Sequence, residues 1–243
     1  MYEPRRYRSW IKDKGLISFK VMVKETDLHV SALSKLRSKT ERLVFKYREK
    51  LEKYIAGNPL FLTSLAPVAV ESDAPDIVIA MAEAGAKVGV SPMAAVAGAI
   101  AEFVGTELLP FSSEIIIENG GDIYLRSSEK RRVGIYAGAS PLSGRVGLEI
   151  DPEDTPIGIS TSSGTVGHSL SFGRADAVTV LASSATFSDA AATAIGNMIT
   201  VPEDIQKGIA FARGIKDIMG LVIIIGEKVG VWGKVKLCET TLD

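Results

Sequence analysis

In the stretch "SSATFSDAAATAIGN" (183–197), a run of tiny residues carries one carboxylate, Asp189, and one hydroxyl four places later, Thr193. The alanines between them favour helix, and on a helix positions four apart share a face. Two chemistries fit such a pair. A carboxylate and a hydroxyl oxygen suit a hard cation such as Mg²⁺, which takes few protein ligands and completes its shell with water and substrate phosphates. The plainer reading is a helix start, capped by Ser188 or Thr186, with Asp189 in the first turn facing the positive end of the helix. Composition and spacing alone favour that plainer reading.

Two other segments carry polar groups in suggestive places. In "ENGGDIY" (118–124), Glu118 and Asp122 flank Gly120 and Gly121, a turn that lets a ligand approach the backbone; spacing alone gives a plain hairpin. The Gly/Ser-rich loop "STSSGTVGHSLSFGRAD" (160–176) contains Ser163, Gly164, His168 and Arg174. Its N–H groups and hydroxyls suit phosphates, and structureless loops of this length are usually functional or disordered. Its glycines make neither a P-loop nor a dinucleotide fingerprint. The chain has only two histidines, His29 and His168, with no G-x-S-x-G or H-E-x-x-H pattern, so a hydrolase triad or a zinc protease site is not expected. The single Cys238 excludes an intramolecular disulfide and a cysteine zinc cluster. It reads as structural.

The elements that must position these groups are legible from periodicity and punctuation. Residues 15–32 read as one or two strands and 34–56 as a helix ended by "GNP" (57–59), with 60–70 as strand or extended chain. A helix is expected over 75–88. A second starts at Ser91, an N-cap followed by Pro92, and contains the small residues around Gly98. The "ENGG" turn joins two strands over 113–127, and "RRVGIYAG", "GRVGLEI", "IGISTS" and "AVTVLAS" read as further strands. After the helix bearing Asp189, another is expected over 201–220, then a hairpin over 221–237. Each half thus runs strands, two helices, strands. This rhythm suggests an internal repeat and an α+β fold rather than a doubly wound one.

Bulk properties narrow the class. The 243 residues are 46% hydrophobic and 23% charged, as in soluble globular proteins. No apolar run reaches the length needed to cross a membrane, and the N-terminus lacks a signal-peptide pattern, so a cytoplasmic protein is expected. The net charge of −1 hides an asymmetry: residues 1–55 hold 15 of the 28 Lys and Arg but 7 of the 29 Asp and Glu. The basic segment 1–56, strand then helix, is a docking surface for a protein partner or simply a solvated helix. No nucleic-acid motif accompanies it, and self-association is left open.

In order, "AGAIAEFVG", "IIIENGGDIYL", "GISTSSG…GH" and "AVTVLASSATFSDAAATAIGN" resemble the ApbE family of flavin transferases over residues 75–200. The resemblance implies a single ApbE-like α+β domain with a duplicated T-fold-like pattern, two intertwined repeats. It also implies a cleft for FAD or a related nucleotide and a Mg²⁺ site on Asp189 and Thr193. Gly120, Gly121 and Asp122 would line the flavin cleft, with Gly98, Ser163 and Gly164 also cofactor-binding and His168 catalytic. The chain departs from the family pattern in two places. The lysine of the G-x-a-K-G helix motif is absent beside Ala97 and Gly98, and "HSLSFG" replaces a longer histidine motif with Asp-Pro. A flavin-transferase-like enzyme is therefore one expectation. A ligand-binding or accessory protein without transferase chemistry, of the kind associated with sulfur assimilation in anaerobic microbes, is the other.

Overall fold

The computed structural model describes residues 15–166 and 171–240. An antiparallel sheet of eight strands forms its middle layer, in the order β1-β2-β3-β4-β7-β8-β9-β10. The strands are β1 Ile17–Val23, β2 Thr26–Ala32, β3 Ile115–Asn119, β4 Asp122–Arg126, β7 Ile157–Ser162, β8 Ala177–Ala182, β9 Ile218–Ile225 and β10 Lys228–Gly233. A second sheet of three strands, β5 Arg131–Gly134, β6 Val146–Ile150 and β11 Leu237–Glu239, runs in the order β11-β6-β5. The helices are α1 Arg37–Gly57, α2 Pro59–Thr63, α3 Asp76–Val88, α4 Val96–Leu108, α5 Ala185–Gly196 and α6 Ile205–Arg213. The expected α+β class and the rhythm of hairpin, helices, hairpin are both present, once in each half of the large sheet.

Alternation along the strands builds two cores. Leu28, Val30, Ile115, Ile117, Val178, Val180, Leu221 and Ile223 face the helices. Ile116, Ile123, Leu125, Ile157, Ile159, Val222 and Ile224 face the small sheet, against Val133, Ile135, Leu148 and Ile150. Both faces of β3 are therefore covered, and all five of its residues are buried. This explains the unbroken apolar run "III" (115–117) where a strand covered on one face would alternate.

Several boundaries differ from those expected. Residues 60–70 are not a strand: Pro59–Thr63 is a short helix, and the chain beyond it is irregular. Alternation of exposed Leu60 and Leu62 around buried Phe61 mimics a strand. Pro59 at the first helical position and the edge-on packing of Phe61 on Tyr54, 5.3 Å between centroids, decide for helix. The helix expected over 201–220 ends at Arg213, and the strand after it begins at Ile218. Ser91 does cap a helical turn, accepting from Met93 N–H. From Pro92 to Phe111 the chain is a 20-residue helical run, long and apolar enough to cross a membrane by length and composition. That corrects the expectation that no segment reaches this length. In the fold, Ala95, Ala99, Ile100, Val104 and Leu108 of this run are fully or almost fully buried in the core.

Candidate functional site

Helix α5 starts earlier than its sequence suggests. Its N-cap is Ser184, whose side chain accepts from Phe187 N–H. Asp189 therefore lies beyond the first turn, and the capping explanation for it, with Ser188 or Thr186 as cap, is overturned. The positive end of α5 is closed by another residue: Glu102 of α4 accepts from Ser184 Oγ at 2.7 Å, Thr186 N–H at 2.8 Å and Thr186 Oγ1 at 2.7 Å.

Ten of the twelve residues of α5 are buried, and the two that reach solvent are Asp189 and Thr193. The spacing of four turns both to one open stripe, which Asn197 continues just past the helix end. Asp189 is nonetheless crowded by its surroundings. Its Oδ2 accepts from Gly98 N–H at 2.9 Å, and Ala97 N–H gives it a second backbone bond. Loss of water around the carboxyl pushes it up to about 7, against the opposing pull of these two N–H groups.

Gly98 allows this approach. A Cβ there would lie 2.1 Å from Ala185 O and 2.8 Å from Asp189 Cβ. Its smallness thus serves the α4–α5 crossing, and its N–H is already committed to the carboxylate. The glycine-rich turn comes to the same place through Asn119, whose Nδ2 donates to Ala97 O at 3.0 Å. Gly120 and Gly121 have φ of 71° and 107°, a conformation that side chains disfavour. Gly121 N–H donates to the buried Glu118 Oε1, and Gly121 O accepts from Thr161 N–H on β7. Asp122 is buried and pairs in register with Asn119 and Ser160.

The third contributor is the loop after β7. Ser163 Oγ accepts from the N–H groups of Thr165 and Val166 and so shapes the loop. Gly164 N–H donates to Ala175 O, and a Cβ on Gly164 would meet Gly173 O at 2.2 Å. A Cβ on Gly173 would meet Gly196 O at 1.9 Å. Backbone contact between these glycines fastens the base of the loop to the end of α5. His168 lies outside the described residues.

The structure thus gathers Gly98, Gly120, Gly121, Asp122, Ser163, Gly164, Asp189 and Thr193 around the α4 start, the β3–β4 turn, the end of β7 and the open stripe of α5. The sequence reading missed Asn119, Asn197, Gly173 and Glu102, which hold these segments together. The alternation of Ser160 and Ser162 with Ile157 and Ile159 on β7 was an available signal: it marks a small polar face, and Ser160 Oγ indeed bonds Ser188 Oγ of α5 at 2.8 Å. Among the described residues, no three His, Cys, Asp or Glu side chains gather into a metal cage.

Comparison with known proteins bears on the fold and on kinship. A family model described as "AbpE bacteria" matches residues 8–217. A UPF0280 protein of Methanocaldococcus jannaschii is 46% identical over 222 residues, covering 89% of this chain and 90% of that protein. One of Methanococcus aeolicus is 42% identical over 226 residues, covering 90% of this chain and 91% of its own. Among solved structures, the apo flavinyl transferase ApbE of Pseudomonas stutzeri superposes with a TM-score of 0.62 at 14% identity, covering 89% of this chain and 93% of its own. A mutant of the flavin transferase ApbE of Vibrio cholerae gives a TM-score of 0.60 at 15% identity, covering 89% and 96%. At these identities the structural matches speak for the fold, and the sequence matches for kinship: this chain belongs to the UPF0280 family of ApbE-like proteins.

Proposed function

We propose that the protein binds a flavin nucleotide, FAD or a close relative, together with Mg²⁺, and that its reaction is a flavin transferase-like phosphoryl transfer. In such a reaction an acceptor hydroxyl would form a phosphoester with the FMN half of FAD, the pyrophosphate bond would break, and AMP would leave. The observation that carries the reading is the open stripe of α5: in a helix otherwise buried, the residues left facing solvent are a carboxylate and a hydroxyl.

The donor set fits a hard cation. One carboxylate and one hydroxyl fall short of an all-protein cage but match Mg²⁺, which is usually held by one or two carboxylates plus substrate phosphates. Asp189 and Thr193 would hold it. When bound, the cation would neutralise charge on the departing phosphate. The protein's own part is positional. Gly98 and Ala97 N–H groups fix the Asp189 carboxylate, so that it need not reorganise. The Gly120–Gly121 turn follows Asn119, which bonds Ala97 O next to Gly98, and the base of the 163–173 loop borders the end of α5.

The test is titration calorimetry of the cofactor-stripped protein with FAD, with and without Mg²⁺, repeated on Asp189→Ala. Binding that needs Mg²⁺ and disappears in the variant supports the reading; equal binding by both proteins ends the metal assignment. Release of AMP on adding candidate acceptor proteins then separates a transferase from a protein that only binds.

A further inference from the structure

Phe172 is the most exposed phenylalanine among the described residues, at 60%, yet the backbone that carries it is firmly held. Its N–H donates to Asn197 Oδ1 at 2.9 Å. The next residue, Gly173, packs directly on Gly196, and Arg174 N–H donates to Ile199 O at 2.7 Å. An apolar ring is thus held out to solvent from a fixed base, at the end of the stripe formed by Asp189, Thr193 and Asn197. Scattered exposed apolar residues are ordinary. An aromatic one whose main chain is fastened to the ligand-facing stripe is a prepared surface, because little freedom remains to be lost on binding.

We propose that Phe172 is the stacking platform for the planar ring of the bound nucleotide and that Asn197 is the residue that positions it. The inference rests on the nucleotide reading above and adds where the ring lies. From Asp189 to Asn197 the helix rises about 1.5 Å per residue, roughly 12 Å in all. That is the order of the reach from phosphate to ring in a nucleotide, so the phosphates would sit at Asp189 and the ring at Phe172. Phenylalanine has no polar atom and offers the ring only a face, which accepts any flat heteroaromatic system. Arg174, exposed two residues further on, leaves positive charge beside it.

The test compares wild type, Phe172→Ala, Phe172→Trp and Asn197→Ala in titrations with FAD, FMN, ADP and inorganic pyrophosphate, all with Mg²⁺. Phe172→Ala is expected to weaken FAD about tenfold and to leave pyrophosphate unchanged. Phe172→Trp is expected to keep affinity and to quench flavin emission on binding. Asn197→Ala is expected to weaken FAD less than Phe172→Ala does, again without affecting pyrophosphate. A loss for FMN with ADP unaffected assigns the flavin ring to Phe172; the opposite pattern assigns the adenine. If wild type binds FAD and Phe172→Ala binds it equally well, the platform is refuted while the nucleotide reading stands. If wild type binds no FAD, both fall.

Discussion

The two ends of the large sheet differ in how far their carboxylates are closed off from solvent. At the end where β3 begins, Glu114 and Glu102 are both taken up by protein donors. Glu114 accepts from Ser127 Oγ and Ser128 Oγ, each at 2.6 Å, and pairs with Arg131 at 2.7 Å. Glu102 closes the start of α5 with three bonds on one oxygen. At the other end lie glycine turns, serine-lined strand ends and the carboxylates Glu118, which accepts from Gly121 N–H, Asp122, which is buried, and Asp189, which has backbone N–H partners and a face toward solvent. Glu114, Glu102 and Glu118 are spent on cohesion, whereas Asp189 combines backbone partners with a face toward solvent. Burial by itself therefore does not mark a functional carboxylate.

The contrast predicts that stability and binding will separate by position. Asp189→Ala is expected to reduce Mg²⁺-dependent FAD binding to background while leaving the melting temperature unchanged or higher, since it removes a crowded carboxylate; calorimetry and a thermal melt on one sample check both halves. Glu114→Ala should do the reverse. It strands Arg131 and costs about 3–5 kcal/mol in a urea melt, with FAD affinity per folded molecule unaltered. A drop in affinity there would dissolve the distinction.

Acid should act on the cohesive end in the same sense. Burial raises the Glu114 carboxyl, but the bonds from Ser127, Ser128 and Arg131 outweigh it and hold the group down at about 2, below its ordinary 4.5. A depressed carboxylate lends stability above its unfolded value, and that stability is lost as pH falls through its folded one. The protein is expected to lose roughly 3 kcal/mol between about pH 4.5 and 2 on this account. In Glu114→Gln that portion of the acid loss should vanish, as read from urea midpoints across the range.

Smaller effects sharpen the boundary between the two ends. Glu102→Ala leaves the start of α5 without its acceptor and is expected to cost about 1–2 kcal/mol. Because α5 also carries Asp189, a slight loss of FAD affinity would accompany it if the helix shifts. Its absence would show that the glycine contacts of α5, at Gly98 among others, hold the helix in place without Glu102.

Much of this was legible in the chain. The "ENGG" hairpin and the Ser91 cap are written in local chemistry, and the 3.6- and 2-residue periods gave the class. The boundaries that failed did so where local pattern and packing disagree, as at Phe61, whose burial against Tyr54 turned an alternating run into a helix. The site was legible only as parts. Nothing in "FSDAAAT" says that Gly98, 91 positions earlier, donates to its carboxylate. Nor can a local pattern show that Ser184 rather than Thr186 or Ser188 caps the helix, and that single fact moves Asp189 out of the first turn. The layer added by the small sheet was also invisible, because β11 reaches back to β6 across most of the second half of the chain.

Helix α5 is pinched between glycines on two sides. A Cβ on Gly158 of β7 would lie 2.4 Å from Ala185 Cα, as one on Gly98 would collide with Ala185 O. Main chain rests on main chain there, with no long side chain to change rotamer and absorb a movement. The carboxylate one turn further on thus inherits the rigidity of three backbones. Its location would vary little with temperature, and a ligand arriving there would meet a surface whose ordering entropy had already been lost during folding.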